Sequence, residues 1–262
     1  MQMFSYHFMV HAFMAILLIT PLFGLLGTMI VNNKMAFFSD ALGHSAITGI
    51  ALGVVLGISN TMVSMVLFGM IFALLLNWIK YRGKAGAETI ISVFASCGLA
   101  LGLAVLSMGG DFAKYNSLLI GDILSITHKE INGLAVAFVL TLLFWIFCFN
   151  PLHFISINPS LASSKGIRVK LYDNIFVMLL AVIVMLSIRW VGLLIINALL
   201  ILPAAAARNV ARNMRSYHAF SIIISVFCGV LGLIISYYTD IATGPMIVLL
   251  ASGIFFLTLF KR

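Results

Sequence analysis

Residues 61–84 read TMVSMVLFGMIFALLLNWIKYRGK. No charge interrupts the stretch from Thr61 to Ile79, and Lys80, Arg82 and Lys84 follow at once. A helix that spans the hydrocarbon core needs roughly 20 apolar residues, and basic residues gather where it leaves the bilayer on the cytoplasmic side. The stretch therefore reads as a membrane crossing that ends at the inner face.

The same pattern recurs on both sides of it. Further apolar runs cover residues 8–31, 42–58, 88–108, 131–149, 174–188, 190–207, 218–237 and 242–260. This predicts an all-α polytopic bundle of nine crossings, within a range of eight to ten because 174–207 is interrupted only at Arg189. The segment Tyr115–Ile126 is too short to cross and reads as a re-entrant or interfacial helix. The run Phe8–Val31 lacks a basic leader and a cleavage pattern, so it reads as a crossing and not as a signal peptide. Residues 1–262 read as one transmembrane domain.

Composition points the same way. Hydrophobic residues make up 63% of the chain and charged residues 8%, against about 25% charged in a soluble domain. That excludes disorder and leaves too few charges to coat a soluble core. The net charge of +8 would suggest nucleic acid in a soluble protein. Here the positive residues lie in short gaps between apolar runs, so no nucleic-acid partner is expected. With the N-terminus outside, twelve of the fifteen basic residues fall on the inner side, leaving Lys114, Lys129 and Arg189 outside. Cys97, Cys148 and Cys228 each lie in an apolar run and read as small buried hydrophobes. Gly49, Gly53 and Gly57, and likewise Gly98 and Gly102, repeat at four-residue spacing and predict close helix packing.

Charge inside a membrane segment is costly and marks function. The exception here is Asp40-Ala41-Leu42-Gly43-His44, which leads from the turn at Lys34 into an apolar helix. At i, i+4 the carboxylate and the imidazole stack on one helix face, near the bilayer midplane if the helix starts at Met35. Oxygen and nitrogen one turn apart suit zinc or manganese, but two ligands are incomplete, and a second copy across a twofold axis would supply four. An Asp–His hydrogen bond that fixes packing, or a proton relay, are the other readings of the same pair. His7 and His11 repeat the i, i+4 spacing near the outer end of the first helix, where they suit either metal sampling or an ordinary interfacial role. Glu88 beside the basic cluster, Asp122 after Gly121, and Asp240 in an outer turn read as loop or capping residues, with Glu88 pairing with the cluster.

The longest inner loop, Asn150–Asp173, contains NPSLASSKGI at 158–167. Pro159 suits the first turn of a short helix and Gly166 its end. Such a helix on a positively charged face is either a connector or a docking knob for a soluble partner. Gly-x-x-x-x-Gly-Lys-Ser/Thr, His-Glu-x-x-His and Gly-x-Ser-x-Gly are all absent from the sequence, so no ATPase or hydrolase activity is expected of the chain itself.

Five collinear segments together resemble the permease subunits of bacterial zinc and manganese ABC importers, the ZnuB and MntB type. They are MAFFSDALGHS at 35–45, LLIGDIL at 118–124, ASSKGI at 162–167, GLLIINALLILPAAAAR at 192–208, and Gly244-Pro245 after Asp240. The departures are Gly43 where a Ser is usual before the His, and Asn33-Lys34 in place of an Arg-rich turn. The resemblance implies a homodimer in the bacterial plasma membrane, a cytoplasmic ATPase dimer that binds the ATP, and an extracytoplasmic metal-binding protein. It implies that Asp40 and His44 contact the transported Zn²⁺ or Mn²⁺, and that Ala162, Ser163, Ser164, Lys165 and Gly166 form the helix that couples to the ATPase. No permanently bound cofactor is implied. A proton-coupled secondary transporter using Asp40 and His44 as a relay, an ABC permease for another metal or a chelate, and an intramembrane enzyme are the alternatives. The enzyme reading lacks a nucleophile near the pair.

Overall fold

The computed structural model describes residues 6–58, 60–82, 85–109 and 123–260. Among these, ten α-helices follow one another: α1 His7–Asn32, α2 Phe38–Val55, α3 Thr61–Arg82, α4 Ala87–Gly109, α5 His128–Ile157, α6 Pro159–Ser164, α7 Val169–Val191, α8 Leu193–Val210, α9 Met214–Thr239 and α10 Thr243–Leu259. A 3₁₀ turn at Ile123–Ser125 precedes α5. Eight helices, α1–α5 and α7–α9, are long and apolar enough to cross a bilayer. The 17 residues of α10 sit at the short end of the spanning range. The all-α expectation is therefore met, and the eight spans with the shorter α10 among the described residues fall within the expected eight to ten crossings. Residues 115–122, including Asp122 and most of the LLIGDIL segment, lie outside the described residues, as do Lys84 and Lys114.

The internal contacts divide the chain into two compact units. One comprises Met1–Val31, Ile120–Val139 and Ser187–Arg262. In it α1 packs closely on α8 and α9. A Cβ placed on Gly27 would fall 2.0 Å from the Leu200 carbonyl oxygen, so α1 and α8 meet backbone to backbone. The hydroxyls of Ser221 and Ser225 on α9 donate to the carbonyls of Gly24 and Thr20 at 2.6 and 2.7 Å. Lipid tails are as apolar as leucine, so association in a bilayer relies on small residues and such interhelical hydrogen bonds.

The other unit comprises Asn32–Leu119 and Leu140–Leu186. There α2 packs between α3 and α4. Gly49 and Gly53 of α2 face α3 at Met65 and Ser64, while Gly98 and Gly102 of α4 face α2 at Ser45 and Thr48. Ser64 donates to the Gly49 carbonyl, and Thr48 to that of Gly98. Gly57 does not extend this packing face. It ends α2 with φ 68°, while Ile58 N–H bonds Gly53 O and Gly57 N–H bonds Val54 O, a left-handed closure that glycine adopts without steric cost.

Three other sequence expectations are corrected. The break between α7 and α8 is at Gly192 (φ 88°, ψ 155°), and helix continues through Arg189; only glycine reaches that backbone region without strain. Helix α5 runs on through Pro151 to Ile157, which shortens the inner loop. Of the cysteines only Cys228 is buried; Cys148 is half-buried and Cys97 exposed. An apolar environment outside a spanning helix lets such residues face outward.

Candidate metal pathway and coupling face

Helix α2 begins at Phe38, three residues later than the sequence suggested. Asp40 therefore lies in its first turn, where the partial positive charge of the helix N-terminus favours a carboxylate. At 1.5 Å per residue His44 lies about 9 Å from the start, short of the helix middle.

The burial pattern of α2 singles these two residues out. From Phe38 to Ala51 every residue is buried except Asp40 and His44. Their side chains keep 39% and 34% exposure in an otherwise enclosed helix. His44 Nε2 and Asp40 Oδ2 are 3.4 Å apart, longer than the ~2.9 Å of an ordinary N–H···O bond. Two ligands each about 2.1 Å from a tetrahedral ion stand roughly 3.4 Å apart. The spacing is that of an ion pair one helical turn apart, and it equals the separation of two ligands on one ion. Among the described residues no cluster of three or more His, Cys, Asp or Glu forms a complete metal cage.

The loop helix forms as expected. Asn158 caps α6 by accepting from the backbone N–H groups of Ser160 and Leu161 at 3.0 and 3.1 Å, and Pro159 occupies the first turn. Gly166, at φ 80°, ends it: Ile167 N–H bonds Ala162 O, and Gly166 N–H bonds Ser163 O. Ser163, Ser164, Lys165 and Gly166 are exposed, whereas Ala162 is fully buried and supports the helix from beneath. Leu161, which the sequence reading passed over, is 49% exposed on this helix. Beside it a groove of about 880 Å³ is lined by Tyr81, Pro159, Ser160, Ser163 and residues 166–171.

A buried polar junction lies next to that groove. Asp173, near the start of α7, is buried and accepts from Lys80 Nζ at 3.2 Å and from the Tyr81 hydroxyl at 2.5 Å. Lys80 Nζ also lies 3.8 Å from Met35 Sδ, in the turn that leads into α2. Sequence reasoning missed this junction. Its only signal is an acid, Asp173, that follows Arg168 and Lys170 at a helix start. The expected pairing of Glu88 with the basic cluster is not what the described residues do. Lys80 pairs with Asp173, Arg82 stacks over Trp78 at 4.5 Å, and Glu88 sits exposed in the first turn of α4. Asp240 is an exposed left-handed residue at the end of α9, as a turn position requires.

A helical bundle with this many apolar crossings, an acid–imidazole pair on an enclosed helix and a short exposed loop helix defines a polytopic membrane transport protein. The chain belongs to the ABC 3 transport family, whose model matches residues 5–262. It is 34% identical over 241 residues to the high-affinity zinc uptake system membrane protein ZnuB of Haemophilus influenzae, covering 90% of this chain and 91% of that protein. It is 32% identical over 261 residues to the manganese import system permease protein ScaB of Streptococcus parasanguinis, covering 98% and 91%. Among solved structures, PsaBC from Streptococcus pneumoniae in complex with Fab superposes with a TM-score of 0.84 at 27% identity, covering 98% of this chain and 93% of the matched one.

Proposed function

We propose that the chain is the membrane permease of a bacterial ABC importer for a divalent metal ion, zinc or manganese, and that two copies enclose the translocation pathway. The observation that carries this reading is the exposure of Asp40 and His44 alone along the enclosed part of α2, at a separation fit for one cation. The zinc and manganese relatives support the choice of cargo. Oxygen and nitrogen donors accept either ion, so selection between them falls to availability and to the protein that delivers the ion.

Asp40 and His44 supply two ligands, and a second copy supplies two more. Binding is loose because neither copy alone completes the shell, and a conducting site must release what it binds. In this reading the N-terminus is outside, the chain lies in the plasma membrane, and an extracytoplasmic metal-binding protein delivers the ion. A cytoplasmic ATPase dimer binds the ATP and grips α6 through Ser163, Ser164, Lys165 and Gly166, with Ala162 as the floor beneath. Movement of α6 pulls on the start of α7. Asp173 passes the displacement to Lys80 and Tyr81 on α3, and Lys80 passes it to the turn before α2. That is a contiguous physical route from the coupling helix to the metal pair, with each contact inside one compact unit.

Uptake of radioactive zinc and manganese by cells carrying Asp40→Ala or His44→Ala tests the site. Both variants abolish uptake while the permease still co-purifies with its ATPase. Undiminished uptake by both refutes the assignment. Transport by vesicles that contain only this chain, driven by a proton gradient, favours the secondary-transporter reading instead.

A further inference from the structure

We propose that His11 and His128 form a second divalent-cation site, at the outer ends of α1 and α5. The inference rests on the importer reading for the side of the membrane it faces and the ion it meets there. Its observations are separate from those of the inner pair and lie in the other compact unit.

His11 is on the second turn of α1, and His128 is the first residue of α5, 117 positions later. Their Nε2 atoms are 2.9 Å apart. The contact is within hydrogen-bond distance, with ring centroids 4.0 Å apart and the rings tilted by 67°. About 0.5 Å of further separation gives the spacing of two ligands on one tetrahedral zinc, so a small rotation of either ring lets the pair exchange its hydrogen bond for a shared Zn²⁺. His7 extends the arrangement. It is exposed one turn further out on the same face, with its ring centroid 6.3 Å from that of His11.

Two observations fit a docking station better than a packing contact. His128 is exposed and His11 half-exposed, so a hydrated ion reaches both. The start of α5 is also anchored: Glu130 Oε2 accepts from the backbone N–H and the hydroxyl of Thr127 at 2.9 and 2.8 Å, which holds the first turn that carries His128. The positive end of α5 and exposed Lys129 oppose a cation there, so the site holds its ion weakly. Two crossing helices whose N-termini meet through these histidines start on the same side of the membrane. That agrees with the alternation of nine crossings that puts the N-terminus outside.

The test is equilibrium binding of Zn²⁺ to the full chain in nanodiscs, in a background carrying Asp40→Asn and His44→Gln so that the inner pair is silent. One zinc equivalent per chain remains in that background and is lost when His11→Gln and His128→Gln are added. Cu²⁺ in place of zinc gives an electron paramagnetic resonance spectrum with two-imidazole nitrogen coupling, and His128→Gln alone, in the otherwise wild-type chain, removes one nitrogen. That single variant serves if the combined one fails to fold. No zinc bound in the background, equal binding with and without the two histidines, or a copper spectrum unchanged by His128→Gln overturns the proposal. Loss of half an equivalent per chain with Asp40 and His44, the share of an ion held by two copies, but none with His11 and His128 leaves the importer reading standing and removes this one. The opposite pattern removes the inner site and leaves the outer one.

Discussion

Replacing Lys80 with methionine keeps an unbranched side chain, one atom shorter, and removes the charge from the junction with Asp173. At 3.2 Å, an effective dielectric of about 20 makes the Lys80–Asp173 attraction on the order of 5 kcal/mol before desolvation is counted. Removing one partner of a buried pair generally costs about 3–5 kcal/mol, because the other charge is left without compensation. Here the Tyr81 hydroxyl still donates to the same carboxylate oxygen, a charge-assisted bond that retains about 1.5–3 kcal/mol. Lys80 is also 16% exposed, which softens the loss. Lys80→Met is therefore expected to destabilise the chain by about 2–3 kcal/mol, roughly a 30- to 150-fold change in the folding equilibrium. Adding Asp173→Asn removes the stranded charge and brings the double variant to within about 1 kcal/mol of the single Asp173→Asn variant. The measurement is denaturation of the purified chain in mixed micelles across the four proteins of the double-mutant cycle, with ATPase stimulation of the assembled complex alongside. A single-variant cost below about 0.5 kcal/mol, the level of an ordinary surface pair, or additive single effects, would refute the buried-junction reasoning. Full transport-coupled ATPase activity in Lys80→Met would refute its place on the route from α6 to α2.

Two further outcomes follow from packing and exposure. Gly27→Ala forces α1 and α8 apart, because its Cβ would sit 2.0 Å from a backbone oxygen that cannot rotate away; a cost of about 1–3 kcal/mol in the same micelle assay is expected, and an unchanged midpoint would contradict the backbone contact. Leu161→Ala leaves folding intact, since the side chain is exposed. If α6 docks into a partner's groove, it weakens ATPase association by about 1.5–3 kcal/mol, read as co-purified ATPase over a dilution series; equal retention would mean that Leu161 stays outside the interface.

Much of this architecture was legible without coordinates. Bilayer thickness sets helix length, and the need to satisfy every backbone polar group in lipid leaves helices as the spanning form for apolar runs of this kind. The runs therefore translated directly into the eight spanning helices and the shorter α10 among the described residues. Asp40 and His44 stood out because a carboxylate and an imidazole one turn apart are conspicuous in an apolar stretch. The short helix at 159–164 was readable because Pro159 and Gly166 act locally, through φ angles that belong to those residues alone.

What stayed hidden depended on partners distant in sequence. The junction of Asp173 with Lys80 and Tyr81 joins residues more than ninety positions apart, and the meeting of His11 with His128 joins residues 117 apart. Local periodicity says which face of a helix is apolar and is silent about which neighbour that face meets. The same limit explains Gly57, which shares its spacing with Gly49 and Gly53 yet ends the helix, and Cys97, which is as apolar as Cys228 and faces outward. Sequence alone determined that the chain crosses the membrane repeatedly and carries an acid and an imidazole one helical turn apart, because those properties depend on residue type and short-range spacing. Only the tertiary structure decided that Asp40 and His44 are the open positions on an enclosed helix, because exposure depends on what the other helices cover.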